Sequence, residues 1–290
     1  MNLKSQGRWA YLFLAPQLIG LIVFSLGPLI FLFVLSFYSW DGFGNNHFVG
    51  LRNFQFTLTD PDFWTALVNT IYYTVLTVPV GIFLAILLAV GLNRIRLRNV
   101  YRVLYFMPVV TSSVAVGIMW MWLLNGKFGV LNQLLHSIGI TGPDWLTDTR
   151  WVMPSIAMVS IWWGLGFNMI LFLAGLQNIP KVFYEAAEID GASKFQQFWR
   201  VTMPLLSPTT LFVTVITIIG SFQVFDQAYV ITNGGPAKAS YTLVFHIYQL
   251  AFVNFTFGKS AAAAVCLFVI ILLFTALQLS LSKRWVNYAN

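Results

Sequence analysis

The chain has 290 residues, of which 58% are hydrophobic and 9% charged, with a net charge of +7. An average soluble domain is about 25% charged, so this composition excludes an ordinary water-soluble globule, and lipid must cover part of the apolar surface. The single cysteine, Cys266, excludes an internal disulfide framework and any multi-cysteine metal or cluster site, and in its apolar run it reads as a small buried side chain.

A helix needs about 20 apolar residues to cross a hydrocarbon core of about 30 Å. The first such run, 9–40, follows two cations, Lys4 and Arg8. It is too long for a cleaved signal and carries no cleavage pattern after a short core, so it reads as an uncleaved first helix. Further runs follow at 66–92, 103–125, 151–178, 201–225 (with an apolar continuation to 232) and 260–282. Trp9, Tyr11, Tyr38, Trp40, Trp122 and Trp151 stand near run ends, as interfacial aromatics do. Pro28, Pro79, Pro108 and Pro154 lie inside runs, where membrane helices tolerate proline. The stretch 241–257 is apolar but holds His246, Gln249 and Asn254; it is taken as an external interfacial or partly buried helix, which keeps the count at six. The fold class is therefore all-α integral membrane.

The cations orient the six crossings. With the N-terminus inside, eleven fall on inner segments (Lys4, Arg8, Arg94, Arg96, Arg98, Arg102, Lys181, Lys194, Arg200, Lys283 and Arg284) and five outside (Arg52, Lys127, Arg150, Lys238 and Lys259). By the positive-inside rule both termini are then cytoplasmic. The net charge marks orientation, with no nucleic-acid partner, and the Arg94–Arg102 cluster would meet anionic lipid. Residues 1–65 read as a leading helix plus an external loop, 66–282 as a five-helix core and 283–290 as a cytoplasmic tail.

The segment 177–208, between the fourth and fifth runs, then lies in the cytoplasm. Pro180 suits a helix N1 position, Asp190–Gly191 a turn, and Ser193 with Gln196 a capping box; Pro204 ends or kinks the second short helix. Phe183, Tyr184, Ile189, Phe195, Phe198 and Trp199 are too apolar for a solvated linker. Two readings fit: a helix pair lying in the headgroups, or a docking site for a cytoplasmic partner.

Glu185-Ala186-Ala187-x-x-Asp190-Gly191-Ala192, followed by Phe195, Phe198, Pro204 and Pro208, resembles the EAA loop of permease subunits in bacterial binding-protein-dependent ABC importers. Phe48-Val49-Gly50-Leu51-Arg52-Asn53-Phe54, Phe63-Trp64-x-Ala66-Leu67-x-Asn69-Thr70, Tyr105-Phe106-x-Pro108 and Thr232-Asn233-Gly234-Gly235-Pro236 resemble its carbohydrate-uptake branch, of maltose and glycerol-3-phosphate type. The likeness covers essentially the whole chain, which lacks the extra N-terminal helices and large external domain of the maltose-type permease. It implies the transmembrane-domain fold of a type I ABC importer in a bacterial plasma (inner) membrane. It also implies a second homologous permease, a cytoplasmic ATPase dimer and an external substrate-binding protein as partners. Glu185, Ala186, Ala187, Asp190 and Gly191 would form the coupling helix and its turn. ATP and Mg would sit on the ATPase, with no cofactor on this chain, which also has no G-x-x-x-x-G-K-[ST] phosphate loop.

Polar groups inside spans are functional candidates by default. Asp226 is the one acid in a predicted span; Gln223 at i−3 and Phe222 at i−4 would share its helix face, an arrangement suited to a sugar. A structural bond from Asp226 and Gln223 to another helix is the alternative. A second cluster holds Ser160, Trp162, Trp163, Gly164, Phe167 and Asn168. The resemblance carries a sugar-lining role to Ser160, Trp162, Gly164, Phe167, Phe222, Gln223 and Asp226. Asn69 and Asn168 read as interhelical partners, and the three dispersed histidines form no metal site. Two other classes remain: an autonomous secondary transporter, which calls for inverted repeats and ion-coupling groups, and a membrane-embedded enzyme, which calls for convergent His, Asp or Glu.

Overall fold

The computed structural model describes residues 13–44, 46–93, 95 and 97–287. The readings placed on Lys4, Arg8, Trp9, Tyr11, Arg94, Arg96 and the Arg98 side chain lie outside what it describes. Contacts divide the chain into two compact units. One holds the described residues up to Phe63 together with Ile247–Phe268; the other holds Trp64–His246 and the described residues from Val269.

The first unit opens with helix α1, Phe13–Leu35. Pro28 has no N–H to offer the carbonyl of Phe24, and the helix widens to a π turn over Ile22–Leu26 just before it. A short antiparallel hairpin follows, β1 (Tyr38–Trp40) and β2 (Asn46–Phe48), with Ser39 opposite His47. Gly50 turns the chain at φ +58° into helix α2, Arg52–Thr59. Asn53 is buried, and its amide donates to the carbonyls of Ser36 and Tyr38, each at 2.9 Å. The Phe48–Phe54 motif is thus a strand end, a left-handed turn and a polar tie. On the later segment, Phe257 meets the Trp40 ring, and the Lys259 ammonium lies 3.9 Å from the centre of the Phe56 ring.

The remaining helices lie in the second unit, apart from 61–63, 247–253 and 257–268, which belong to the first. They are α3 (Pro61–Asn93), α4 (Arg98–Val110), α5 (Ser113–Leu123), α6 (Val130–Ser137) and α7 (Val152–Gln177). Then come α8 (Lys181–Ile189), α9 (Lys194–Leu205), α10 (Ser207–Phe222), α11 (Asp226–Thr232), α12 (Leu243–Val253) and α13 (Phe257–Ser282). Ala85, Ile86, Met169, Phe172, Leu173, Leu206 and Val213 form one core of the unit, joining α3, α7 and α10. Tyr73, Val152, Met153, Ile156 and Val224 form another. Thr232–Pro236 closes α11: Asn233 is left-handed, Gly234 follows at φ +77° and returns its N–H to Ala228, and the Thr232 and Ser240 hydroxyls meet at 2.6 Å.

Helices α1, α3, α7 and α13 are each long and apolar enough to cross a membrane; the bent pairs α4/α5 and α9/α10 bring the number to six if each is one crossing. Helix α12 rises only about 16 Å, short of a 30 Å core, so 241–257 adds no seventh.

Four local expectations need correction. The run 103–125 is two helices bent by 95° at Thr111–Ser112, where both residues are extended. Pro108, three residues earlier, takes one N–H out of the ladder as the helix runs out. Pro180 is the N-cap of α8, one position before N1. Pro204 does not make the bend; it follows a π turn at Phe198–Thr202, and the 62° break comes at Leu206. The helix expected to run on from Val201 through Asp226 stops at Phe222. The carbonyl of Val224, in the gap, accepts from the Thr242 hydroxyl at 2.9 Å.

Candidate functional site

Two arrangements in the second unit can carry chemistry. The first is the α8–α9 segment. Ser193 and Gln196 form both bonds of a capping box, with Ser193 N–H to Gln196 Oε1 at 2.8 Å. Helix α8 closes in a Schellman motif: the Gly191 N–H donates to Glu188 O at 3.0 Å and the Ala192 N–H to Ala187 O at 2.9 Å. Gly191 supplies the required left-handed turn at φ +74°. Tyr184 and Thr202 join α8 to the π turn through their hydroxyls at 3.0 Å. The Lys194 ammonium pairs with Glu188 across the turn. That hydrogen bond, and then the lysine's charge, hold the Glu188 carboxyl below the usual carboxylate range. The pair's support is therefore complete above the unfolded carboxylate's pKa and fades as pH falls through the folded one.

The side of α8 turned away from these bonds is exposed. Val182, Glu185, Ala186 and Ile189 follow at i, i+3, i+4 and i+7, and Ile189 is 87% exposed. Phe195 and Trp199 continue the apolar surface on α9. Of the predicted coupling residues, Glu185 and Ala186 lie on this stripe, Ala187 and Gly191 build the Schellman turn, and Asp190 is the exposed C-cap of α8.

The second arrangement is a cavity of about 470 Å³ among α3, α7 and the α10–α11 break. Such a volume suits a small organic ligand. Ser160, Gly164, Phe167, Gln223 and Asp226 all line it. Gly164 opens onto free space, and Asp226 accepts a hydrogen bond from the Ser113 hydroxyl at the start of α5. Two predicted members are not there. Phe222 is buried with its ring centre 5.2 Å from that of Phe274, and Trp162 meets Trp120 edge to face with 38% of its surface exposed. The break after Phe222 explains the first: with no continuous helix, the i−3 and i−4 spacing to Asp226 sets no common face. Gln223 and Asp226 meet at the cavity because they flank the break.

The sequence reading missed Tyr73, Thr217, Phe225 and Gln227 in the lining, and it set Trp163 aside in favour of Trp162. The signal for Trp163 was available, since it stands at i+3 from Ser160 on α7. Asn69 does not join two helices as expected: its amide donates to the carbonyls of Lys238 at 2.7 Å and Tyr241 at 3.0 Å, tying α3 to the loop between α11 and α12. Asn168 lines the cavity. Among the described residues, no group of three His, Cys, Asp or Glu side chains is placed to hold a metal.

The family model of the binding-protein-dependent transport system inner membrane component matches residues 81–287. The sn-glycerol-3-phosphate transport system permease protein UgpA of Agrobacterium fabrum is 38% identical over 96% of each chain. The arabinooligosaccharides permease AraP of Bacillus subtilis is 37% identical over 94% of this chain and 88% of its own. The lactose permease LacF of Rhizobium radiobacter is 39% identical over 91% of each. A chain in the crystal structure of a bacterial ABC transporter that imports the acidic polysaccharide alginate superposes with a TM-score of 0.84, at 25% identity and 98% coverage of both chains. A second structure of the alginate transporter, in complex with its alginate-bound periplasmic protein, also matches at TM-score 0.84 and 25% identity, over 97% of this chain and 96% of that one. The chain belongs to the family of binding-protein-dependent transport system inner membrane components, and is a membrane-spanning transport permease with the fold of a type I ABC importer transmembrane domain.

Proposed function

We propose that the chain is one of two homologous permease subunits of an ATP-driven importer in a bacterial inner membrane, moving a sugar or related polyol handed over by an external binding protein. The exposed stripe of α8 carries this reading. An apolar row with one acid, held rigid by a Schellman turn and a capping box, is built to seat in a cleft of another protein. Glu185 engages a basic group of a cytoplasmic ATPase; Ala186 allows close approach and Gly191 turns the chain under the partner. Closure of the ATPase dimer on ATP, with its Mg, rocks α8–α9 and switches access to the path. The excess of cations on this loop and the other inner segments supports a cytoplasmic position for it and for both termini. Residues 1–65 then form a leading helix and external loop, 66–282 the transport core and 283–290 a cytoplasmic tail.

The cavity supplies the substrate path, with Ser160, Gly164, Phe167, Gln223 and Asp226 from the predicted set and Trp163 and Phe225 beside them. Hydroxyl and amide groups with aromatic faces match the hydroxyls and C–H faces of a sugar, and the relatives named for arabinooligosaccharides and lactose point the same way. Asp226→Ala lowers ATP-driven uptake about tenfold or more, since a hydrogen bond to a charged group is worth about 1.5–3 kcal/mol. The ATPase subunit still co-purifies with that variant. Unchanged uptake by Asp226→Ala would confine Asp226 to its structural bond with Ser113.

A further inference from the structure

We infer that this permease selects against anionic cargo: its half of the path takes neutral or amino sugars and polyols, and repels uronic acids and sugar phosphates. The inference rests on the import reading above and narrows its substrate. Among the described residues, Asp226 is the one acid on the cavity wall, and none of the lining residues is Lys, Arg or His. The other polar groups are hydroxyls and amides, including Thr77, Ser160, Asn168, Thr217 and Gln227. Carboxylates and phosphates are held most strongly by guanidinium or ammonium groups, and among the described residues this wall supplies no such cation. Between helices of a membrane protein the field of a carboxylate is weakly screened, so it acts across a cavity of this size.

The carboxylate is also fixed. Ser113 donates to its Oδ2, and the break after Phe222 places it beside Gln223 and Phe225 on the wall. The remaining lone pairs can accept from sugar hydroxyls, while Trp163, Phe167 and Phe225 offer faces to the apolar side of a pyranose. Two of the relatives are named for anionic cargo, glycerol 3-phosphate and alginate. The lining here departs from what such cargo needs.

A charge ratio measured inside the cavity tests this without knowledge of the cargo. Thr217→Cys, and separately Ser160→Cys, are made with Cys266→Ala, and each is assembled with the partner permease and ATPase in nanodiscs. Modification rates are compared for a cationic trimethylammonium and an anionic sulfonate methanethiosulfonate, relative to a free thiol. The cationic reagent is favoured about tenfold in both positions, and adding Asp226→Asn, which keeps an acceptor for Ser113, removes most of that preference. A ratio equal to that of free thiol, or one unmoved by Asp226→Asn, overturns the inference. So does transport of a uronic-acid disaccharide by the unaltered complex as fast as its neutral counterpart. Failure of the loaded binding protein to stimulate ATP hydrolysis by the unaltered complex would instead overturn the import reading on which the inference rests.

Discussion

Glu185→Lys lowers ATP-coupled uptake by about 30-fold or more while the protein inserts and folds normally. The expected size follows from losing one partner of a desolvated charge pair at a docked interface, about 2 kcal/mol or more. The reversed charge adds repulsion, so Glu185→Gln falls less far. The fold is spared because Glu185 is exposed on the outer stripe of α8, where surface substitutions stay within about 0.5 kcal/mol. The ties that hold the segment lie elsewhere, in the Ala187–Ala192 and Tyr184–Thr202 bonds. ATPase co-purification and uptake, measured on the same membranes, separate docking from insertion. Normal uptake by Glu185→Lys would remove the stripe's acid from the coupling contact.

Gly166→Leu fails differently, by preventing the helices from packing. A Cβ at Gly166 would stand 1.9 Å from the carbonyl oxygen of Tyr105 and 2.9 Å from the Cα of Phe106. Those are backbone atoms of α4, so no side chain can swing aside and the helix itself must move. Overpacking costs about 1–3 kcal/mol when side chains give way, and occasionally more; here about 3 kcal/mol or more is expected, and Leu adds three further carbons to the clash. Gly164, one half-turn away, is the control, since its Cβ position has no neighbour within 4 Å. Fluorescence-detected size exclusion of the two variants in mild detergent reads the difference: Gly164→Ala elutes like the parent, whereas Gly166→Leu aggregates or melts much earlier. A parent-like Gly166→Leu would show that α4 and α7 do not close on this glycine.

Both sites show which parts of the molecule a sequence discloses. Span lengths, the capping box of Ser193 and Gln196 and the glycine turn at 191 are local, and they were legible because adjacent residues decide them. The break at 223–225 was not. Its stretch is apolar and compatible with a helix; what sustains the break is Thr242, eighteen residues on, reaching the carbonyl of Val224. The stacking of Phe225 on Tyr229 and the contact of both with Phe245 add to it. Losing that break misplaced Phe222 and hid Phe225. The choice of Trp162 over Trp163 failed because neighbouring residues on a helix point about 100° apart, and only the packing of Trp120 shows which faces outward. The bend at Thr111–Ser112 left a trace in the run Thr111-Ser112-Ser113 after Pro108, a cap signature inside an apolar run.

The most direct measurement of the central claim is uptake of the binding protein's labelled sugar into proteoliposomes, with this chain alone and with its partner permease and ATPase. Uptake is expected only from the full complex with ATP inside the reach of the ATPase, and it persists when ionophores collapse the ion gradients. Uptake by this chain alone, driven by an ion gradient and indifferent to ATP, would contradict it.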